Sequence, residues 1–315
     1  MQALDVVTFG EAMAMFVADE SGELSTISHF TRRMAGAETN IAIGLSRLGL
    51  RVGWVSRLGN DSFGQYIQRI LDSEGVNCSH VIVDPHYRTG FQLKSKAENG
   101  ADPIVEYFRK NSAASHLSLA DFDRDYFLSA RHVHATGITP ALSDSTMEFT
   151  IHALDFMREA GKTVSFDPNL RRKLWPSESV MIERLNYLAS KARWVLPGLS
   201  EGQRLTGLTQ PRDIAAFYLE RGTELVVIKL GPKGAYFRTA DDQEGTIPGV
   251  PVAHVVDTVG AGDGFAVGVI SALLEGMSIP NAVTRGTRTG AFAIQVAGDM
   301  EGLPTRAQLE VVERF

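Results

Sequence analysis

His132-Val133-His134-Ala135, a long stretch from Asp144 to Ala160 closed by Gly161, and Thr163-Val164-Ser165-Phe166 read in succession as strand, helix and strand. The outer runs are short and apolar in the manner of buried strands, and the segment between them stops at a glycine, as helices commonly do. A strand that returns through a helix to a second strand lies parallel to it. The same alternation extends outward. Leu4 to Phe9, Val52 to Ser56, Trp194 to Leu196 and Leu225 to Lys229 have the strand pattern; Ile41, Leu45 and Leu48 mark one amphipathic helix, and Ile67, Ile70, Leu71 and Glu74 another. This rhythm predicts an α/β fold: a mostly parallel sheet between two helical layers.

Two regions break the rhythm, about residues 12–33 and 85–112. The second holds Thr89-Gly90-Phe91-Gln92-Leu93-Lys94 and Ile104-Val105-Glu106-Tyr107-Phe108-Arg109, separated by Glu98-Asn99-Gly100-Ala101-Asp102-Pro103. Short alternating segments around a turn predict antiparallel strands, hence a small sheet attached as a lid to one domain spanning 1–315.

A chain of 315 residues with 44% hydrophobic residues can bury a large core. Its net charge of -6, with both signs dispersed, argues against nucleic acid as the main partner. The single cysteine, Cys78, cannot form an internal disulfide and reads as a small buried or half-buried residue in a reducing compartment. Leu4 to Phe9 is too short and too polar-flanked for a signal peptide, and no run of apolar residues is long enough to span a bilayer, so a cytoplasmic location is expected. Exposed strand faces in the lid could pair between subunits, which is compatible with a homo-oligomer without fixing the oligomeric state.

Gly260-Ala261-Gly262-Asp263-Gly264-Phe265 precedes a helix whose apolar face carries Phe265, Val269, Ile270, Leu273 and Leu274. Glycines at a helix start expose backbone N–H groups at the positive end of the dipole, where an anion such as phosphate fits. A carboxylate placed there has use as a general base between an acceptor hydroxyl and a phosphoryl group; it could equally cap the helix. No P-loop, dinucleotide-binding or protein-kinase fingerprint occurs.

Three further elements could meet ligands. Lys229-Leu230-Gly231-Pro232-Lys233-Gly234 is either a hairpin turn or a wall of a nucleotide site. Ala35-Gly36-Ala37-Glu38-Thr39-Asn40 opens a helix and offers a close backbone approach and an amide. Asp167-Pro168-Asn169-Leu170-Arg171 ends a strand where open parallel sheets bind ligands, so Arg171 is either an anion donor or one of a solvated pair with Arg172; Arg109, beside Tyr107, is a second donor candidate. A competing pattern is Gly198-Leu199-Ser200-Glu201-Gly202, which fits G-x-S-x-G, with Asp241 or Asp242 and His254 following in hydrolase order. No histidine or cysteine cluster has zinc spacing.

Taken together these motifs resemble the ribokinase-like family of sugar kinases, the PfkB carbohydrate kinases, over essentially the whole chain. Asp257-Thr258-Val259-Gly260-Ala261-Gly262-Asp263 matches the family's C-terminal signature; Gly36 to Asn40, Leu48-Gly49 and Arg57-Leu58-Gly59-Asn60-Asp61-Ser62-Phe63-Gly64 match the N-terminal one. Tyr107-Phe108-Arg109-Lys110, Ser112-Ala113-Ala114-Ser115, Gly137-Ile138-Thr139-Pro140-Ala141-Leu142 and Asp167 to Arg171 resemble its sugar-acid kinases. The resemblance implies a three-layer α/β/α body with a β-sheet lid. It implies transfer of a phosphoryl group from ATP to the 6-hydroxyl of 2-keto-3-deoxygluconate; fructose, ribose and 2-keto-3-deoxygalactonate are the alternative acceptors. Asp263 would be catalytic with Gly260, Ala261 and Gly262. Gly36, Ala37, Asn40, Tyr107, Arg109 and Arg171 would hold the sugar acid with Asp263, and two arginines suit one carboxylate. Asn169, Lys229, Gly231, Gly234, Gly260 and Gly262 would hold the nucleotide. Mg²⁺ is implied, and a monovalent cation near the signature turn is compatible with it. Where the family often has N-x-x-E, this chain has Gly198-Leu199-Ser200-Glu201, leaving Glu201 to act on Mg²⁺ through water.

Overall fold

The computed structural model describes residues 3–96 and 103–313. In chain order the first half comprises β1 (Leu4–Phe9), β2 (Met13–Ala18), β3 (Phe30–Ala35), α1 (Ala37–Arg47), β4 (Val52–Gly59), α2 (Ser62–Ser73), β5 (Asn77–Asp84), β6 (Phe91–Lys94), β7 (Val105–Phe108), α3 (Arg124–Leu128), β8 (Ala130–Thr136) and α4 (Asp144–Glu159). The second comprises β9 (Thr163–Asp167), α5 (Glu178–Ala189), β10 (Trp194–Val195), α6 (Leu199–Thr206), α7 (Pro211–Leu219), β11 (Leu225–Lys229), β12 (Ala235–Thr239), β13 (Glu244–Ile247), α8 (Ala261–Leu274), α9 (Ile279–Ala293) and α10 (Arg306–Glu313).

The large sheet has nine strands in the order β13-β12-β11-β10-β9-β8-β1-β4-β5. It is parallel from β11 to β5, and β12 and β13 continue it antiparallel through a hairpin. Successive residues on a strand point to opposite faces, and both faces are apolar. Val7 and Phe9 of β1 join Val226 and Ile228 of β11 in a core with α3 to α7. Val6, Leu225 and Val227 face the other core, with α1, α2 and α8 to α10. Cys78 sits half-buried, and burial pushes its thiol up to about 12, as a packing residue requires.

The small sheet has the order β3-β2-β6-β7. Its two outer pairs are antiparallel as expected, but β2 and β6 run parallel. The expectation of a purely antiparallel lid is thus corrected: the strands come from two distant hairpin-like segments, and their meeting edge is not set by either turn. The turn residues Glu98 to Asp102 lie outside the described residues.

The C-terminal ends of β8 and β9 cross closely. Gly137 donates its N–H to the Asp167 carbonyl at 2.9 Å, and an added Cβ would lie 2.0 Å from the Pro168 carbonyl oxygen. Gly137→Ala is therefore expected to cost about 1–3 kcal/mol, as overpacking of backbone against backbone does. Urea unfolding of the variant against the parent chain measures it.

Candidate active site

A cleft of about 560 Å³ opens between the two sheets, at the C-terminal ends of β1, β8, β9 and β11. One wall is the start of α8. Gly260 is in the left-handed region at φ 82°, and a Cβ there would press on the Asp299 carbonyl oxygen at 2.4 Å, so glycine is required. Ala261, Gly262 and Asp263 form the first turn, and no side chain caps it. Asp263 therefore makes no capping hydrogen bond, although its place in the first turn lets it complement the helix dipole. Its Oδ2 instead accepts a hydrogen bond from Asn40 Nδ2 of α1 at 2.8 Å. Burial pushes the Asp263 carboxyl up to about 7; the Asn40 bond opposes this, Asp167 adds to it, and Arg171 and Lys229 pull it down.

Beside that turn stands Lys229, the last residue of β11, with Nζ 3.5 Å from where a Gly262 Cβ would be. It donates to Asp167 Oδ2 at 2.6 Å. Burial works against the Lys229 ammonium, but Asp167 and Glu201 outweigh it and hold its pKa above the usual lysine value. Asp167 Oδ1 also accepts the Asn169 N–H at 3.2 Å, and Asn169 takes φ 37°, a conformation asparagine tolerates. Glu201 accepts from Leu170 N–H at 2.8 Å and Gly198 N–H at 2.7 Å, tying together the loops that follow β9 and β10.

The opposite wall belongs to the small sheet and α1. Gly36 approaches Glu11 so closely that a Cβ would lie 2.7 Å from its carbonyl oxygen. Arg109 follows β7 and is ion-paired with Glu11, whose other oxygen accepts the Ser112 hydroxyl. Its guanidinium lies 5.8 Å from the centre of the Tyr107 ring. Arg171 also lines the cleft, is exposed, and makes no ion pair among the described residues. Of the two arginines, only Arg171 has uncommitted charge.

The cleft thus gathers Gly36, Ala37, Asn40, Tyr107, Arg109, Asn169, Arg171, Glu201, Lys229, Gly260, Gly262 and Asp263. Ala261 sits between two of these in the same helical turn. Gly231 and Gly234 do not line it. They shape the β11–β12 hairpin, where a Cβ on Gly234 would meet the Ile247 carbonyl oxygen at 2.0 Å. The hydrolase arrangement does not assemble: Ser200 is exposed on α6 outside the cleft, His254 is exposed, and Asp242 pairs with Arg238 in the β12–β13 turn.

Sequence reasoning missed Glu11, Glu38, Lys94 and Asp299, all of which line the cleft. Glu38 is buried and accepts hydroxyl bonds from Thr136 at 2.6 Å and Thr139 at 2.7 Å. Burial holds its carboxyl above the usual range, with those hydroxyls opposing. Its place inside the Gly36 to Asn40 motif was a signal; the others had none, because their partners lie far away in the chain.

The donor set can be tested against a magnesium ion. Mg²⁺ keeps several waters and is held by phosphates with one or two carboxylates, not by an all-protein cage. Among the described residues no group of three or more acidic, histidine or cysteine side chains forms such a cage. Asp167 and Glu201 line the cleft, and each oxygen that accepts one bond retains a lone pair for water. The residues fit a water-clad, phosphate-held ion.

An uncapped glycine-rich helix start, a buried carboxylate whose pKa is raised to about 7 and a cleft beyond the strand ends are features that suit a small-molecule phosphotransferase on a ribokinase-like fold. The chain belongs to the pfkB family of carbohydrate kinases, whose model matches residues 3–306. It is 54% identical over 307 residues to a 2-dehydro-3-deoxygluconokinase of Bacillus subtilis (strain 168), covering 97% of this chain and 94% of that one. A crystal structure of a PfkB protein from Polaromonas sp. JS666 superposes with a TM-score of 0.91 at 54% identity, covering 98% and 99% of the chains. A fructokinase variant from Vibrio cholerae O395, with fructose, ADP and potassium ion bound, gives 0.85 at 28% identity and 99% coverage of both chains.

Glu11 is the buried half of its pair with Arg109. Glu11→Ala leaves a guanidinium with little solvent and is expected to cost about 3–5 kcal/mol, read by chemical denaturation.

Proposed function

We propose that this chain transfers the γ-phosphoryl group of ATP to the 6-hydroxyl of 2-keto-3-deoxygluconate, the activity named for its 54% identical relative. The observation that carries the reading is the Asp263 carboxylate: buried, held by Asn40 and placed in the first turn of α8. In this reading the sugar acid lies between the small sheet and α1, against Gly36, Ala37, Asn40, Tyr107 and Arg109, with Arg171 free to pair with its carboxylate. The triphosphate runs along Asn169, Lys229 and the Gly260 to Gly262 turn.

Asp263 takes the proton of the acceptor hydroxyl as the new oxygen–phosphorus bond forms and the bond from the γ-phosphorus to the bridging oxygen breaks, releasing ADP. The N–H groups of the α8 start and the Lys229 ammonium face the charge of the moving group. Asp167 and Glu201 would hold a Mg²⁺ ion through water, and the ion would supply further neutralisation of that charge. The small sheet of β2, β3, β6 and β7 serves as a lid that keeps competing water out.

With its pKa raised to about 7, Asp263 is protonated and inactive as a base at lower pH. The value of kcat/KM should fall about tenfold per pH unit below that point. In Asp263→Asn, turnover should drop by about 10²–10⁴ with ATP binding retained. A carboxyl whose folded pKa is raised destabilises the fold once ionised, so the asparagine variant should melt no lower than the parent at pH 8. A variant with near-normal turnover sinks the assignment.

Arg171→Ala removes a charge-assisted bond of about 1.5–3 kcal/mol, roughly 10- to 150-fold in kcat/KM for the sugar acid. Turnover on a panel of sugar acids and neutral sugars should show the parent's preference for carboxylated acceptors shrinking in the variant. An unchanged preference would remove Arg171 from carboxylate recognition.

A further inference from the structure

Lys94 ends β6, one of the two inner strands of the small sheet, yet its side chain is only 2% exposed. A buried ammonium is rare unless it is paired. Its Nζ donates to Asp257 Oδ2 at 2.6 Å and to Asp299 Oδ1 at 3.2 Å. Both carboxylates are buried, and both are built into the support of the glycine turn. Asp257 Oδ1 accepts the Val259 N–H at 3.1 Å, and the Asp299 carbonyl packs against Gly260. Lys94, Gly260, Asp263 and Asp299 line the same cleft.

We propose that Lys94 is a positioning residue for phosphoryl transfer: its ammonium neutralises Asp257 and Asp299 behind the signature turn and so keeps the start of α8 receptive to an anion. The inference rests on the phosphotransfer reading given above. Two buried carboxylates without that ammonium would repel each other and oppose the approach of a polyphosphate. Burial raises the Asp299 carboxyl, and Lys94 is the group that opposes this. The charge also crosses from one wall to the other. Gln92 and Lys94, two residues apart on β6, face the cleft from the sheet that carries Tyr107, whereas Asp257 and Asp299 belong to the body that carries the turn. The electrostatics of the phosphate side therefore depend on the seating of the small sheet.

A salt bridge that merely staples two parts together predicts lost stability. A neutralising role predicts that removing the negative charge compensates for removing the positive one. Lys94→Gln, Asp299→Asn and the double variant separate the two, using kcat, both KM values, ATP affinity by calorimetry and the melting temperature. In Lys94→Gln, kcat should fall roughly 100-fold and ATP binding weaken roughly tenfold, with KM for the sugar acid within about threefold. The double variant should regain at least about tenfold in kcat over Lys94→Gln.

Near-parental kcat in Lys94→Gln overturns the proposal, as does a folded double variant no more active than the single. If Lys94→Gln does not fold, the double variant decides alone: kcat within about tenfold of the parent supports neutralisation, and a folded but inactive protein overturns it. A parent chain that binds ATP but is silent on 2-keto-3-deoxygluconate counts against the proposed substrate only, because the ATP affinities of the variants still report on Lys94.

Discussion

A carboxylate kept out of water at the positive end of a helix is the constraint around which this cleft is organised. Burial alone would leave Asp263 neutral, and full exposure would leave it a weak base with a low pKa. Asn40, Arg171 and Lys229 oppose the effect of burial far enough to bring its titration to about 7. Each of these groups arrives from a different element: α1, the loop after β9, and the end of β11. The parallel sheet makes that convergence possible, because its strands deliver their C-terminal ends to one edge.

Charge is matched locally across the rest of the cleft. Lys229 answers Asp167, Arg109 answers Glu11, and Lys94 answers Asp257 and Asp299. Pairs of this kind contribute little net stability, since desolvation offsets attraction, but removing one partner is costly. Their effect is to fix geometry and to leave chosen charges uncommitted. Among the described residues of the cleft, Arg171 is a cation with no ion pair, and the start of α8 carries donors with no side-chain cap. A carboxylate-bearing ligand complements the first and a polyphosphate the second.

The small sheet shows where local pattern stops being informative. Each of its hairpin-like pieces was legible from alternation, and β2 with β3 and β6 with β7 pair antiparallel accordingly. The parallel contact between β2 and β6 joins segments far apart in the chain, and no turn residue specifies it. Similar logic separates Gly260 from Gly234. Both adopt positive φ beside a carbonyl, but Gly260 shapes the helix start in the cleft and Gly234 shapes a hairpin outside it.

Periodicity and turn chemistry, which act over a few residues, were enough to establish the α/β alternation, the helix start at Gly260 and the candidates Asn40, Arg171 and Asp263. The motifs also pointed to a pfkB-type kinase, and the family match agrees. Only the tertiary structure decided which charges remain free. Arg109 is occupied by Glu11, Lys94 is buried against two aspartates, and Asp263 is held by Asn40, 223 residues away in sequence. Burial and partner identity depend on which chain segments meet in space, and so does the pKa of a carboxylate.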